Sequence, residues 1–126
     1  ISHNSSCCGG GLALGGGVEH TISDGTITEN EGTVNSGGIL LTRSGTKLTM
    51  MGGTISKNSA PSISGVYVYN GATFEMNGGI IRNNTAINHN GGIAKDSNST
   101  FTYVSGVICE NSPANSYETH TTCPAT

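Results

Sequence analysis

Gly65-Val66-Tyr67-Val68-Tyr69, Thr73-Phe74-Glu75-Met76 and Gly79-Ile80-Ile81-Arg82 follow one another in mid-chain, each a short run of alternating side chains. A period of two places successive side chains on opposite faces of a strand. Gly, Asn, Ser or Asp bounds each run, and these residues accept the positive φ angles and local side-chain bonds that tight corners need. Three strands and three corners therefore fill one unit, and the units on either side repeat it.

The turn pair Gly10-Gly11 recurs as Gly37-Gly38, Ser64-Gly65 and Gly91-Gly92, always at the same 27-residue spacing. Ile27-Thr28-Glu29-Asn30, Ile55-Ser56-Lys57-Asn58, Ile81-Arg82-Asn83-Asn84 and Ile108-Cys109-Glu110-Asn111 share an Ile-x-x-Asn pattern. A fixed period of this length signals stacked repeats. A helical repeat is excluded, because each of the 20 glycines would weaken a helix interior by about 1 kcal/mol relative to alanine. The expected fold is all-β: a parallel β-helix whose strands pair with their equivalents one coil above and below. No six-residue motif of the left-handed form is visible, so the right-handed form is expected.

Coils are expected at about 10–36, 37–63, 64–90 and 91–117, between an N-terminal tail (1–9) and a C-terminal tail (118–126). Read vertically, five inward columns appear. They are Leu12, Ile39, Val66, Ile93; Leu14, Leu41, Val68; His20, Leu48, Phe74, Phe101; Ile22, Met50, Met76, Tyr103; and Ile27, Ile55, Ile81, Ile108. Two residues depart from these columns: Lys95 falls where coil 3 has Val68, and His20 where coil 2 has Leu48. Both belong to terminal coils, where a long side chain can reach solvent. Asn30, Asn58, Asn84 and Asn111 are expected to stack as a buried amide ladder bonded to one another and to the corner backbone.

Gly-Gly-[Ile/Leu/Val] paired with Ile-x-x-Asn resembles the repeats of polymorphic outer-membrane proteins and of large adhesin-like β-helix proteins on bacterial and archaeal surfaces. The resemblance spans residues 10–113, with Ser64 in place of the first glycine of coil 3 and Ile where the outer-membrane group commonly has Phe. It implies a pectate-lyase-like solenoid and an extracellular or cell-surface location, and it carries over no catalytic residue.

The four cysteines, Cys7, Cys8, Cys109 and Cys123, are even in number and form no pair of Cys-x-x-Cys motifs, which reads as disulfides rather than zinc. With no transmembrane run and no signal peptide in the stretch, a mature secreted chain with oxidised cysteines is expected. At about 4.8 Å per coil, coils 1 and 4 lie roughly 14 Å apart, beyond the ~7 Å Cα separation that a disulfide spans. Two arrangements remain: Cys109 with Cys123 and a vicinal Cys7–Cys8 bond, or a bridge from Cys7 or Cys8 to a C-terminal cysteine of the next molecule. Three sequons make Asn4, Asn83 and Asn98 candidate glycosylation sites.

Catalytic chemistry is sparse. Eight acids and five basic residues give a net charge of −3, with no basic patch for nucleic acid. Glu29 and Glu31 read as a solvated corner. The outward columns Thr21, Thr49, Glu75, Thr102 and Thr28, Ser56, Arg82, Cys109 bring one Glu and one Arg. That falls short of the acidic calcium cluster and basic residue of pectate-lyase-like enzymes. A Thr-x-Thr array of the ice-binding kind begins at Thr26-Ile27-Thr28 and Thr54-Ile55-Ser56 but ends after two coils. His3, His20, His89 and His120 lack metal-ligand spacing. No catalytic residue, metal, cofactor or membrane insertion is expected.

The ends remain. End coils expose unpaired backbone that invites another chain, and both tails read as too short and polar to cap them. The expectation is a secreted structural protein that stacks on itself head to tail as a filament, with the four cysteines at the joints and the sequons carrying a glycan coat. The alternative is a glycan-binding module of a larger surface protein, with Tyr67 and Tyr69 on its outer face.

Overall fold

The computed structural model describes residues 1–113, 117–119 and 122–124. Its strands are β1 (Ser5–Ser6), β2 (Leu12–Leu14), β3 (Glu19–Ile22), β4 (Thr26–Thr28), β5 (Glu31–Gly32), β6 (Ile39–Thr42) and β7 (Lys47–Met50). They continue as β8 (Thr54–Ser56), β9 (Ser59–Ala60), β10 (Val66–Tyr69), β11 (Thr73–Arg82), β12 (Thr85–Ala86), β13 (Ile93–Lys95) and β14 (Thr100–Cys109). Every ladder between them is parallel and joins equivalent strands of successive coils. The fold is a β-solenoid of about four turns with 27-residue spacing, and its described residues contain no helix.

The expected columns pair in register: Leu12↔Ile39↔Val66↔Ile93, His20↔Leu48↔Phe74↔Phe101, and Ile27↔Ile55↔Ile81↔Ile108. Their middle members are fully buried and form one continuous core. Where expectation and structure part, the reason is local. Residues 1–9 and coils 1 to 3 each carry a further two-residue strand (β1, β5, β9, β12) after their asparagine, and coil 4 has a single bridge at Ser112 in that place. The Asn30 and Asn58 carbonyls accept the Ser59 and Thr85 amides at 2.9 Å and hold the next residues extended. In coils 3 and 4 the second and third strands fuse through the corner as β11 and β14.

Tyr103 takes its register opposite Met76 yet is 46% exposed. Its phenol turns out of the column to donate to the Gly106 carbonyl at 2.8 Å, a bond the apolar column cannot offer. Lys95 is exposed as expected at an end. His20 is not: its ring lies under Leu48 and its Nε2 is buried without a partner.

The glycine pairs also serve a purpose other than the one expected. None of Gly11, Gly38, Gly65 and Gly92 has positive φ. Instead the coils touch backbone to backbone at Gly11, Gly38 and Gly65, where a Cβ on Gly38 would sit 2.3 Å from the Gly65 carbonyl oxygen, and Gly92 lies against the Asn111 side chain. Positive φ falls on the residue before each ladder asparagine: His3, Glu29, Lys57, Asn83 and Glu110, with φ between 53° and 57°. Ser64 replaces a glycine by donating its hydroxyl to the Asn58 carbonyl.

Candidate functional site: the ends of the solenoid

The asparagine ladder connects the two ends. Each Oδ1 accepts from both the backbone N and the Nδ2 of the asparagine one coil earlier. These bonds run at 3.0 and 3.1 Å from Asn30 to Asn58, 3.1 and 2.9 Å from Asn58 to Asn84, and 3.1 and 2.9 Å from Asn84 to Asn111. The second Nδ2 hydrogen goes to the isoleucine carbonyls: Ile27 for Asn58, Ile55 for Asn84 and Ile81 for Asn111, each at 3.1 Å. All four side chains are buried, and with the Ile1 carbonyl accepting from Asn30 Nδ2 at 3.2 Å, every side-chain donor and acceptor of Asn30, Asn58 and Asn84 has a partner.

A fifth rung lies below them. Asn4 donates its N and Nδ2 to Asn30 Oδ1, both at 3.0 Å, while the Ile1 carbonyl accepts from Thr28 N. Ser5 and Ser6 pair with Glu31 and Gly32. The residues read as an N-terminal tail thus lie under coil 1 as half a coil. Ile1-Ser2-His3-Asn4 is itself an Ile-x-x-Asn step, a signal present in the sequence but hidden by reading Asn4 only as a sequon. Asn4 and Asn98 are exposed, and Asn83 is half-buried at its corner.

The half coil leaves the rest of the lower end open. Among the described residues, β2 and β3 pair on one side only. A cavity of about 470 Å³ opens there, lined by apolar Ile1, Leu12, Ile22, Ile27, Met50 and Ile55 and by Thr21, Ser23, Asp24, Gly25, Thr26 and Thr54. Among the described residues nothing covers the core at this face.

The upper end is different, and it corrects the expectation of an uncapped rod. Tyr117 stands edge-on over Phe101, ring centroids 4.9 Å apart, and packs against the core. Thr119 donates its N to the Ile108 carbonyl at 2.7 Å and accepts Ile108 N on Oγ1 at 2.9 Å. Glu118 Oε1 accepts Asn111 N at 2.9 Å, and Glu110 Oε1 accepts Cys123 N at 2.8 Å. The Pro124 carbonyl accepts from Arg82 Nη1 at 3.1 Å. No repeat spacing announces these contacts. His120 lies outside the described residues.

The cysteines adopt the first of the two arrangements. Cys7 bonds its neighbour Cys8, and Cys109 bonds Cys123 across a Cα separation of 5.5 Å, clipping the tail to coil 4. No free cysteine is left, so a bridge between molecules would require one of these pairs to open.

On the side walls two acids have defined partners. Glu75 lies 3.6 Å from Lys47 and accepts from Asn77 at 2.8 Å, and these partners, Asn77 first, hold its carboxyl below the usual range. Asp96 is also held low, chiefly by the Ser99 hydroxyl and then by the Asn70 amide. Among the described residues no group of three His, Cys, Asp or Glu is placed to hold a metal. Among the described residues no helix is long and apolar enough to cross a membrane. No protein-family model, curated protein or solved structure matches the chain.

Proposed function

We propose that this chain is a structural, non-enzymatic solenoid subunit of the extracellular space or cell surface, which assembles end to end with copies of itself. The observation that carries this reading is the lower end of coil 1, where among the described residues two strand edges have no partner beside an open cavity that exposes core side chains. Unpaired parallel edges over exposed core favour another coil in that place, and a contact between unlike ends propagates as an open filament. Two cysteine pairs at bonding distance support an oxidising compartment. The joint in this reading is non-covalent, since the disulfides lie within the chain. The right-handed winding and the kinship with adhesin-like surface proteins belong to the same proposal, and they rest on the Gly-Gly and Ile-x-x-Asn resemblance. Negative-stain electron microscopy of concentrated native protein tests it: rods one solenoid wide are expected. Dispersed single particles at every concentration would sink the idea.

One observation favours a second reading, a glycan-binding wall. The Tyr67 and Tyr69 rings lie 5.3 Å apart on the outer face of β10, with Tyr69 44% exposed. Adjacent rings of this kind stack on the apolar faces of sugars. Glycan-array binding by monomeric protein, lost in Tyr69→Ala, is the expected outcome if this reading holds; an array without signal removes it.

A further inference from the structure

The ladder has a direction, and its two ends are complementary. Every inner Oδ1 accepts from the rung below, but among the described residues nothing donates to Oδ1 of Asn4, the lowest rung, which is exposed. At the other end Asn111 has a backbone N–H that needs an acceptor one coil higher. In this structure Glu118 Oε1 fills that place.

The C-terminal residues therefore stand in for a fifth coil. Glu118 provides the oxygen that the next asparagine would provide, Thr119 the backbone and hydroxyl groups that the next strand would set against Ile108, and Tyr117 the next ring over Phe101. The imitation is incomplete. Glu118 Oε2 is buried without a partner, and a buried acceptor left unsatisfied is costly, whereas a ladder asparagine uses all its bonding groups.

The natural replacement is in the same molecule. Ser2 pairs opposite Thr28 and Asn4 bonds Asn30, so Ile1 belongs to the column that ends at Ile108 and Asn4 to the ladder that ends at Asn111. The lower edge of Ile1–Ser6 carries no partner among the described residues and Ile1 is 55% exposed.

Resting on the reading of end-to-end assembly, we propose that the Ile108–Asn111 edge is the receiving surface of the joint. Its partner is the Ile1–Ser6 segment of a second copy, which displaces Tyr117, Glu118 and Thr119 and lets Asn4 Oδ1 accept Asn111. The Cys109–Cys123 clip keeps the stand-in beside its site at high effective concentration, so it competes with the incoming copy.

Sedimentation velocity over a concentration series tests this, using the full chain, Glu118→Ala, the unclipped C109A/C123A pair, and each of the last two combined with Asn4→Leu. Weakening the stand-in is expected to tighten self-association at least tenfold relative to the native chain. Asn4→Leu is expected to cancel that gain. If Glu118→Ala and the unclipped pair associate no more tightly than the native chain, or if Asn4→Leu leaves the gain intact, this joint is wrong while end-to-end assembly by another contact stands. Absence of association in every variant overturns the assembly reading itself. Should the unclipped pair fail to fold, Glu118→Ala with and without Asn4→Leu separates the same outcomes.

Discussion

A middle rung such as Asn58 holds four side-chain bonds within a column that water does not reach: it accepts two from Asn30 and donates to Ile27 and Asn84. Asn58→Ala leaves the Asn30 N–H without an acceptor and removes both Nδ2 bonds, so a loss of about 2–4 kcal/mol is expected in urea unfolding. Asn4→Ala, at the exposed end, should cost a fraction of that. The glycines divide in the same manner. Gly38→Ala drives a methyl into the Gly65 carbonyl and should cost on the order of 3 kcal/mol, whereas Gly16 at φ +85° faces open space and its alanine variant bears only the backbone term of about 1–2 kcal/mol. Asp96 gives the pH response. Its folded pKa is depressed by Ser99 and Asn70, so its contribution is complete above the unfolded carboxylate value and is lost as pH falls through the folded one. The Asp96 carboxyl carbon should titrate below the ordinary carboxylate range by NMR, and Asp96→Asn should flatten the acid limb of the stability profile.

Strand by strand, the features that the sequence made legible are those set by the repeat itself. Alternation decided which side of β6, β7 and β10 faces inward, and the repeat aligned Ile39 with Val66, 27 residues on, and Leu48 with Phe74, 26 residues on. Elements outside the repeat were not readable in this way. Tyr117 follows Phe101, and Glu118 follows Asn111, at intervals much shorter than one coil. Those intervals have no counterpart among the repeats, so the closure of the upper end depends on tertiary placement that periodicity does not encode. Tyr103 was misplaced for a related reason: alternation assigns a face, but a phenol needs an acceptor, and Gly106 supplies one outside the column. The closing element has its own prediction. Tyr117→Ala uncovers Phe101 and removes an edge-on ring contact worth about 0.5–1.5 kcal/mol beyond its buried area. Amide exchange of Ile108, whose N–H is held by Thr119, should accelerate in this variant while that of Ile55 in coil 2 stays unchanged.

For the whole molecule, a solenoid's stability is a sum of coil and neighbour terms, so coils 2 and 3, with partners above and below, should exchange last, and the lidless coil 1 should open first. Assembly would reverse that order at the lower end, because a bound copy stabilises the folded state by mass action. The apparent Tm should therefore rise with protein concentration, and Asn4→Leu should abolish the rise. The joint also sets a length. Rungs Asn4, Asn30, Asn58, Asn84 and Asn111 continue into Asn4 of the next copy, so each subunit advances five ladder steps, roughly 24 Å at about 4.8 Å per step. A joint that stacked coil 1 directly on coil 4 would advance four, roughly 19 Å, and would place Ile1–Ser6 of one copy in the space of residues 108–113 of the other. Fibre diffraction from aligned rods separates these cases. The five-step axial repeat is expected, and the four-step repeat would mean that the N-terminal half coil leaves coil 1 when the joint forms. A glycan on Asn4 would occupy the path of the next rung, so material glycosylated at Asn4 should remain monomeric where material glycosylated only at Asn98 assembles.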